Sequence, residues 1–204
     1  MYVKKLLAAT LAGAVLAGMF SGCNRKIVEH EFHVDTEYVK DYIEEEATLT
    51  FEDMADSISE DFDLVFKPDV VFVSEGSSLI NTIGEDTIGM FEAILGIPFQ
   101  KETTPEVAAE LFVKTADTGE DTGEEGVVGA SVVFVKQTGD GVNGYISACL
   151  KGTKILCEAL EICINGDKLK IPSGYSLVCG YAPCKFEDDD NLYVYISATI
   201  TNLI

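Results

Sequence analysis

Basic residues are scarce in this chain. Fourteen Lys and Arg stand against 35 Asp and Glu, for a formal net charge of −21. A surface of that sign repels phosphate backbones, which argues against nucleic acid as a partner. It repels anionic lipid headgroups for the same reason, so the folded body is expected to stand off a membrane surface. Histidine is nearly missing as well: His30 and His33 are the only two. A Ser-His-Asp or Cys-His device needs an imidazole held rigidly beside its nucleophile, and the body of the chain has none to offer. There is no G-x-S-x-G elbow and no C-x-x-C pair, so neither a hydrolase nucleophile of that type nor a structural zinc site has support. After Phe20 no apolar run is long enough to span a bilayer. No internal repeat is visible.

What is present begins at the N-terminus. Met1-Tyr2-Val3-Lys4-Lys5 is short and positively charged, and an uncharged run from Leu6 to Phe20 follows. This is the pattern of a secretory signal peptide. As a helix the run would measure roughly 22 Å, short of the roughly 30 Å of a bilayer core. It ends in Phe20-Ser21-Gly22-Cys23. That segment resembles the lipobox of bacterial lipoproteins; Phe20 stands where Leu is usual. The resemblance covers residues 1–23 alone. It implies diacylglyceryl attachment to the Cys23 thiol, cleavage before Cys23, and a lipid-anchored protein on the cell membrane facing outside the cytoplasm. Two acyl chains make a stable anchor, whereas one is marginal. Cleavage would leave 182 residues, with 12 basic against 35 acidic side chains and a net charge of −23. That length suits one domain or two small ones.

The other five cysteines, Cys149, Cys157, Cys163, Cys179 and Cys184, all lie in the last third. Outside the cytoplasm disulfides are permitted, and an odd number leaves at least one thiol over. Cys179 and Cys184 flank a turn-like Gly-Tyr-Ala-Pro and are the best pair for a local bridge. The competing reading makes each cysteine a small buried apolar residue.

The division expected along the chain is a signal peptide over 1–22, a lipidated tether over 23–33, a helix-rich part over 34–116, an acidic loop over 117–126 and a β-rich part over 127–204. Residues 34–204 can share one core. Val34, Tyr38, Val39, Tyr42 and Ile43 recur at helical spacing, predicting a helix to about Glu46. Thr50-x-x-Asp53 resembles a capping box and predicts a short second helix. Leu64–Phe66 and Val70–Val73 read as strands around a Lys-Pro-Asp turn. Glu85–Leu95 reads as a helix closed by Gly96 and Pro98, and Thr104-Pro105-Glu106 as a helix start. Val127–Lys136, Gly144–Leu150, Leu160–Ile164, Leu169–Ile171, Tyr175–Cys179 and Leu192–Ile200 look β-like. Asn165-Gly166-Asp167 signals a hairpin. Lys154–Cys163 fits a helix as well as a strand. The fold class is therefore α+β, with a helix-rich N-terminal part leading into a mostly antiparallel sheet, sandwich-like or half-barrel.

Motifs that suggest chemistry are weak. Gly139-Asp140-Gly141-Val142-Asn143-Gly144 matches G-x-G-x-x-G after a strand, but a dinucleotide site needs a helix next, and Tyr145–Cys149 reads as strand. A hairpin turn accounts for the glycines instead. His30 and His33, close to Cys23, read as solvated linker rather than a metal site. Asp188-Asp189-Asp190-Asn191 and the acidic loop could bind Ca²⁺ weakly through clustered oxygens, although neither has EF-hand spacing. No catalytic residue, cofactor or dedicated metal site is expected. The pattern favours a non-enzymatic binding or interaction module with a cationic or protein partner. The alternatives are an extracytoplasmic carboxylate-based hydrolase and an envelope assembly factor working through a sheet edge.

Overall fold

A computed structural model of the chain describes residues 36–58, 63–72, 80–116, 127–139 and 141–202. Cys23, His30, His33 and the loop 117–126 lie outside them. Among the described residues, four helices and five strands follow in the order α1 (Thr36–Ile58), β1 (Leu64–Val70), β2 (Asn81–Ile83), α2 (Glu85–Leu95), α3 (Pro105–Ala116), β3 (Val127–Lys136), α4 (Gly141–Asn165), β4 (Tyr175–Phe186) and β5 (Leu192–Thr201). The class is α+β as expected, with one five-stranded sheet rather than the two sheets of a sandwich. The sheet order is β1-β4-β5-β3, with β2 continuing beside β4. β1 and β2 run parallel to β4, whereas β5 runs antiparallel to both β3 and β4. The sheet is thus mixed. β3 and β4 are parallel with β5 between them, and α4 is the crossover that a parallel connection requires.

α4 overturns the largest part of the sequence reading. Gly144–Leu150 and Leu160–Ile164 are not strands but parts of this single 25-residue helix. Its buried residues include Tyr145, Ala148, Cys149, Gly152, Leu156, Leu160 and Cys163, spaced at 3 and 4, and this helical period overrides the local Tyr-Ile-Ser-Ala alternation. Asn165-Gly166-Asp167 ends the helix instead of turning a hairpin. Lys168 N–H donates to Cys163 O at 2.8 Å and Asp167 N–H to Ile164 O at 3.0 Å, with Asp167 at φ 51°. This is a Schellman stop; it exploits the left-handed backbone that also makes such residues good in hairpin turns. Leu169–Ile171 forms no strand, although Leu169 is buried.

The expected break in α1 is also absent. Val39, Ile43, Ala47, Phe51 and Ile58 continue one buried line through the whole helix. Thr48 and Thr50 sit inside it, their hydroxyls donating to Glu44 O at 2.7 Å and Glu46 O at 2.8 Å. That back-bonding lets threonine stay in a helix interior without starting a new one. The helices over Glu85–Leu95 and from Pro105 form as predicted. Gly96 closes the first in the left-handed region at φ 65°, and Thr104 Oγ1 accepts from Val107 N–H at 3.4 Å in the second.

α1, α3 and α4 bury their apolar faces with the sheet in one core that runs from Val39 through Phe112 and Leu160 to Ile196. The described residues before and after the 117–126 loop therefore share it. A second, smaller cluster lies on the opposite face of the sheet, where Phe99, Phe134, Phe186, Tyr193 and Tyr195 meet beside Ile88 of α2. Phe99 lies 5.2 Å from Phe134 and 5.5 Å from Phe186, both edge-on, the favoured geometry for aromatic pairs.

Side chains and a neighbouring peptide cap parts of the β3 and β1 edges. At β3, Thr103 Oγ1 accepts from Phe134 N–H at 2.9 Å while Phe134 O accepts from Thr103 N–H at 3.0 Å. Thr115 Oγ1 accepts from Ala130 N–H at 2.7 Å, and its single proton lies within reach of Leu111 O at 2.8 Å, Ala130 O at 2.9 Å and Phe112 O at 3.0 Å. At β1, the Lys67-Pro68-Asp69 segment read as a turn is strand. Pro68 is tolerated because it sits at an edge and offers no N–H there, and Val70 N–H donates to Glu44 Oε1 at 3.0 Å. Pro183 of β4 lies where the flank of that strand passes from β1, which pairs as far as Tyr181, to β2, which starts at Cys184.

Two outcomes test this packing. At Gly152 an added Cβ would stand 2.0 Å from Ile196 Cδ1 and 3.3 Å from Val135 Cγ2. Gly152→Ala should therefore lower stability by about 1–3 kcal/mol despite its better helix propensity, and Ile196→Val in the same chain should restore part of the loss; strictly additive melting curves would contradict the contact. Thr115→Val keeps the shape but strands the Ala130 peptide. A loss of about 1–3 kcal/mol together with concentration-dependent aggregation is the expected result, read by denaturant titration and light scattering.

Candidate functional site

The outer side of α1 carries the most distinctive exposed surface of the described residues. Opposite the buried line run three large apolar side chains: Tyr38 is 68% exposed, Tyr42 38% and Leu49 48%. The Tyr38 and Tyr42 rings stack with centroids 6.5 Å apart and planes 20° apart. Single exposed apolar residues are ordinary, but these lie on one helix in one line. Positions 38, 42 and 49 project at 0°, 40° and 20° around an ideal helix of about 100° per residue, within a stripe about 16 Å long. Beside them Asp41, Glu45 and Glu52, all exposed, form a parallel acidic row at about −60°, −20° and −40°. No Lys or Arg interrupts it. Lys40, the one base of α1, turns toward β1, with Nζ 3.6 Å from Glu44 Oε1 and 3.5 Å from Asp69 Oδ1.

A shallow, open groove of about 370 Å³ lies between the start of α3 and the second half of α4, lined by Pro105, Glu106, Glu158, Glu161, Ile162 and Asn165. Its carboxylates do not resemble a general acid paired with a base. A general acid at neutral pH needs a raised pKa, yet the Glu106 carboxyl is held below its ordinary value by the Thr104 hydroxyl and its own backbone N–H. Glu158 is ion-paired with Lys154 at 3.9 Å.

The expected Cys179–Cys184 bridge does not form. Both residues lie on the continuous strand β4, where five residues span roughly 16 Å, and a disulfide tolerates Cα separations of only about 7 Å or less. The residues also face opposite ways, Cys179 into the main core and Cys184 into the aromatic cluster. All five cysteines from Cys149 to Cys184 are buried and free. Burial pushes the Cys163 thiol up to about 11 and those of Cys157 and Cys184 up to about 12, and raises Cys149 and Cys179 further. They are protonated, poorly nucleophilic packing groups. Around them Tyr145 Oη donates to Val71 O at 2.6 Å, and the Thr153 and Tyr181 hydroxyls are 2.7 Å apart.

A helix, not the expected strand, follows the G-x-G-x-x-G segment. Its glycines nevertheless have local reasons. Gly139 and Gly141 adopt φ 100° and 61°, and a Cβ on Gly144 would stand 2.6 Å from Gly139 O. β3 is an edge strand whose neighbour is antiparallel, unlike the parallel crevice that holds dinucleotides. In the β4–β5 turn the Asp189 carboxylate is already engaged. It accepts from Tyr193 Oη at 2.7 Å, from Asn191 N–H at 2.9 Å and from the Asn191 side-chain amide, with Tyr193 foremost in holding its pKa down to about 2. Lys101 Nζ pairs with Asp188 at 2.7 Å. Among the described residues no group of three or more His, Cys, Asp and Glu is placed to hold a metal ion, and no helix is long and apolar enough to cross a membrane.

Comparison with family models, with curated proteins and with solved structures yields no match. Helical spacing alone groups Tyr38 and Tyr42 with Val39 and Ile43, whereas the structure buries the second pair and exposes the first. The signal lay in the spacing of four from Val39 through Ile43 and Ala47 to Phe51, which leaves Tyr38, Tyr42 and Leu49 opposite.

Thiol chemistry checks the core. In the native protein a maleimide tag should reach none of the five later cysteines at pH 8, and all five after denaturation. The raised thiol pKa values also set a direction. Below pH 9 both folded and unfolded chains keep these protons, so stability is fully present. Above it the unfolded chain loses protons that the folded one retains until about 11–12, so the melting temperature should fall steadily from pH 9 upward.

Proposed function

We propose that this chain is a lipid-anchored, extracytoplasmic binding module that holds a protein partner rather than catalysing a reaction. The observation that carries the binding half is the outer face of α1, an apolar row and an acidic row side by side on a helix whose other side is firmly packed. The anchoring half rests on the charged start, the apolar run and Phe20-Ser21-Gly22-Cys23. The two fit together. Thr36, where α1 starts, follows Cys23 by 13 residues, which reach at most about 45 Å even when fully extended. A partner would thus be held close to the membrane while the acidic body is repelled from its headgroups.

The other readings receive less support. A carboxylate hydrolase would call for a cleft enclosing two carboxyls with their pKa values driven apart; the groove beside α4 is open, and Glu106 moves downward. An assembly factor working by strand addition would call for a bare edge, whereas Thr103 and Thr115 occupy Phe134 and Ala130 on β3, and Glu44 occupies Val70 on β1, where Pro68 also offers no N–H.

Replacing Cys23 by Ala tests the anchor. The variant should leave the membrane fraction or accumulate as an uncleaved precursor of larger apparent mass. Unchanged fractionation and unchanged mobility would defeat the proposal.

A further inference from the structure

We infer that the outer face of α1 docks a cationic amphipathic helix of another protein. This deepens the binding-module reading and rests on it. The rows on α1 determine the partner's chemistry. Asp41, Glu45 and Glu52 are spaced i, i+4 and i+11, one edge of a helix over about three turns. A partner helix with Lys or Arg at the same spacing can meet each acid in turn, while its neighbouring apolar side chains cover Tyr42 and Leu49. Arg and Lys also gain from lying over tyrosine faces, and the Tyr38–Tyr42 stack presents such faces with few rotamers left to freeze. The convex outer surface of a helix suits side-by-side helix packing through i, i+4 ridges rather than capture of a small molecule, which needs a concave site.

Charge decides among occupants. The stripe is flanked by Glu37 and Asp53, both exposed, so five acids and no base line the outer face. A second copy packed antiparallel with Asp41 against Glu52 would also bring Glu45 within about one turn of its own counterpart, a like-charge contact that costs affinity. An anionic lipid surface is repelled in the same way. A basic helix is attracted, and the net charge of −21 for the chain speeds its approach.

The test uses the full-length protein in detergent and a synthetic helical peptide with lysines at i, i+4 and i+11 beside a leucine stripe. Controls are a scrambled peptide of the same composition, the same peptide with glutamates for lysines, and phosphatidylglycerol vesicles. Binding is read by fluorescence anisotropy at two salt concentrations and by amide shifts in NMR spectra. The patterned peptide should bind with shifts confined to α1 and weaken with salt. Asp41→Lys with Glu45→Lys should reduce affinity by about tenfold or more, and Tyr42→Ser with Leu49→Ser by a similar factor. These positions are exposed, so melting temperatures should stay within a few degrees and separate lost docking from lost folding. Equal binding of the scrambled peptide, binding unaltered by both double variants, shifts mapping away from α1, or equal binding of the vesicles would each overturn the inference. If Cys23-dependent anchoring holds while the inference falls, the docking surface alone is withdrawn; if anchoring also fails, the binding-module reading falls with it.

Discussion

The burial of α4 is the constraint to which the rest of the structure answers. This helix hides residues on more than one side, from Tyr145 through Gly152 and Thr153 to Cys163, so it must be covered on more than one side. The sheet covers it below, at a distance so short that Gly152 has no room for a methyl group against Ile196. α1 and α3 cover it laterally, sharing its core. The polar groups that go in with it are matched: Thr153 with Tyr181, and Tyr145 with Val71 O. Among the described residues no buried side-chain nitrogen or oxygen is left without a partner, which is the condition for polar groups to be tolerated in such a place.

What could be read from the sequence divides along physical lines. Elements whose signals are local and redundant were legible: α2 with Gly96 behind it, α3 with Thr104 and Pro105 before it, and the long alternating strands β3 and β5. Elements whose local signals serve two purposes were not. Tyr145-Ile146-Ser147-Ala148 alternates like a strand yet lies in α4. Asn165-Gly166 suits a hairpin and a helix stop equally, because both need a left-handed residue. Pro68 and Pro183 read as turn formers, and only the sheet order shows that each falls where no neighbouring strand asks for its N–H. The class α+β survived these errors because it depends on the mixture of periods, whereas the pairing of strands depends on contacts far apart in the chain.

The surface was less legible than the core. The acidic loop, the aspartate turn and the glycine motif all stood out as letters. The turn and the glycines prove to have structural explanations in Tyr193, Asn191, Lys101 and the positive φ values of Gly139 and Gly141. The α1 face stood out less, since its tyrosines mingle in sequence with the residues that pack inward. Its two rows become visible only when the helix is allowed its full length from Thr36 to Ile58.

The five free thiols carry a consequence of timing. A chain delivered unfolded beyond the cytoplasm would meet oxidants while Cys149, Cys157, Cys163, Cys179 and Cys184 are still solvent-accessible, and random pairing among them would cross-link α4 to β4 before either has formed. Once the fold closes, the same thiols are sealed by burial and by their raised pKa values. Such a protein is under pressure to fold faster than it is oxidised, and α4, whose contacts are local within one helix, carries three of the five sulfurs and is suited to form early. Under the proposed extracytoplasmic placement, folding rate rather than a cross-link would protect the reduced core.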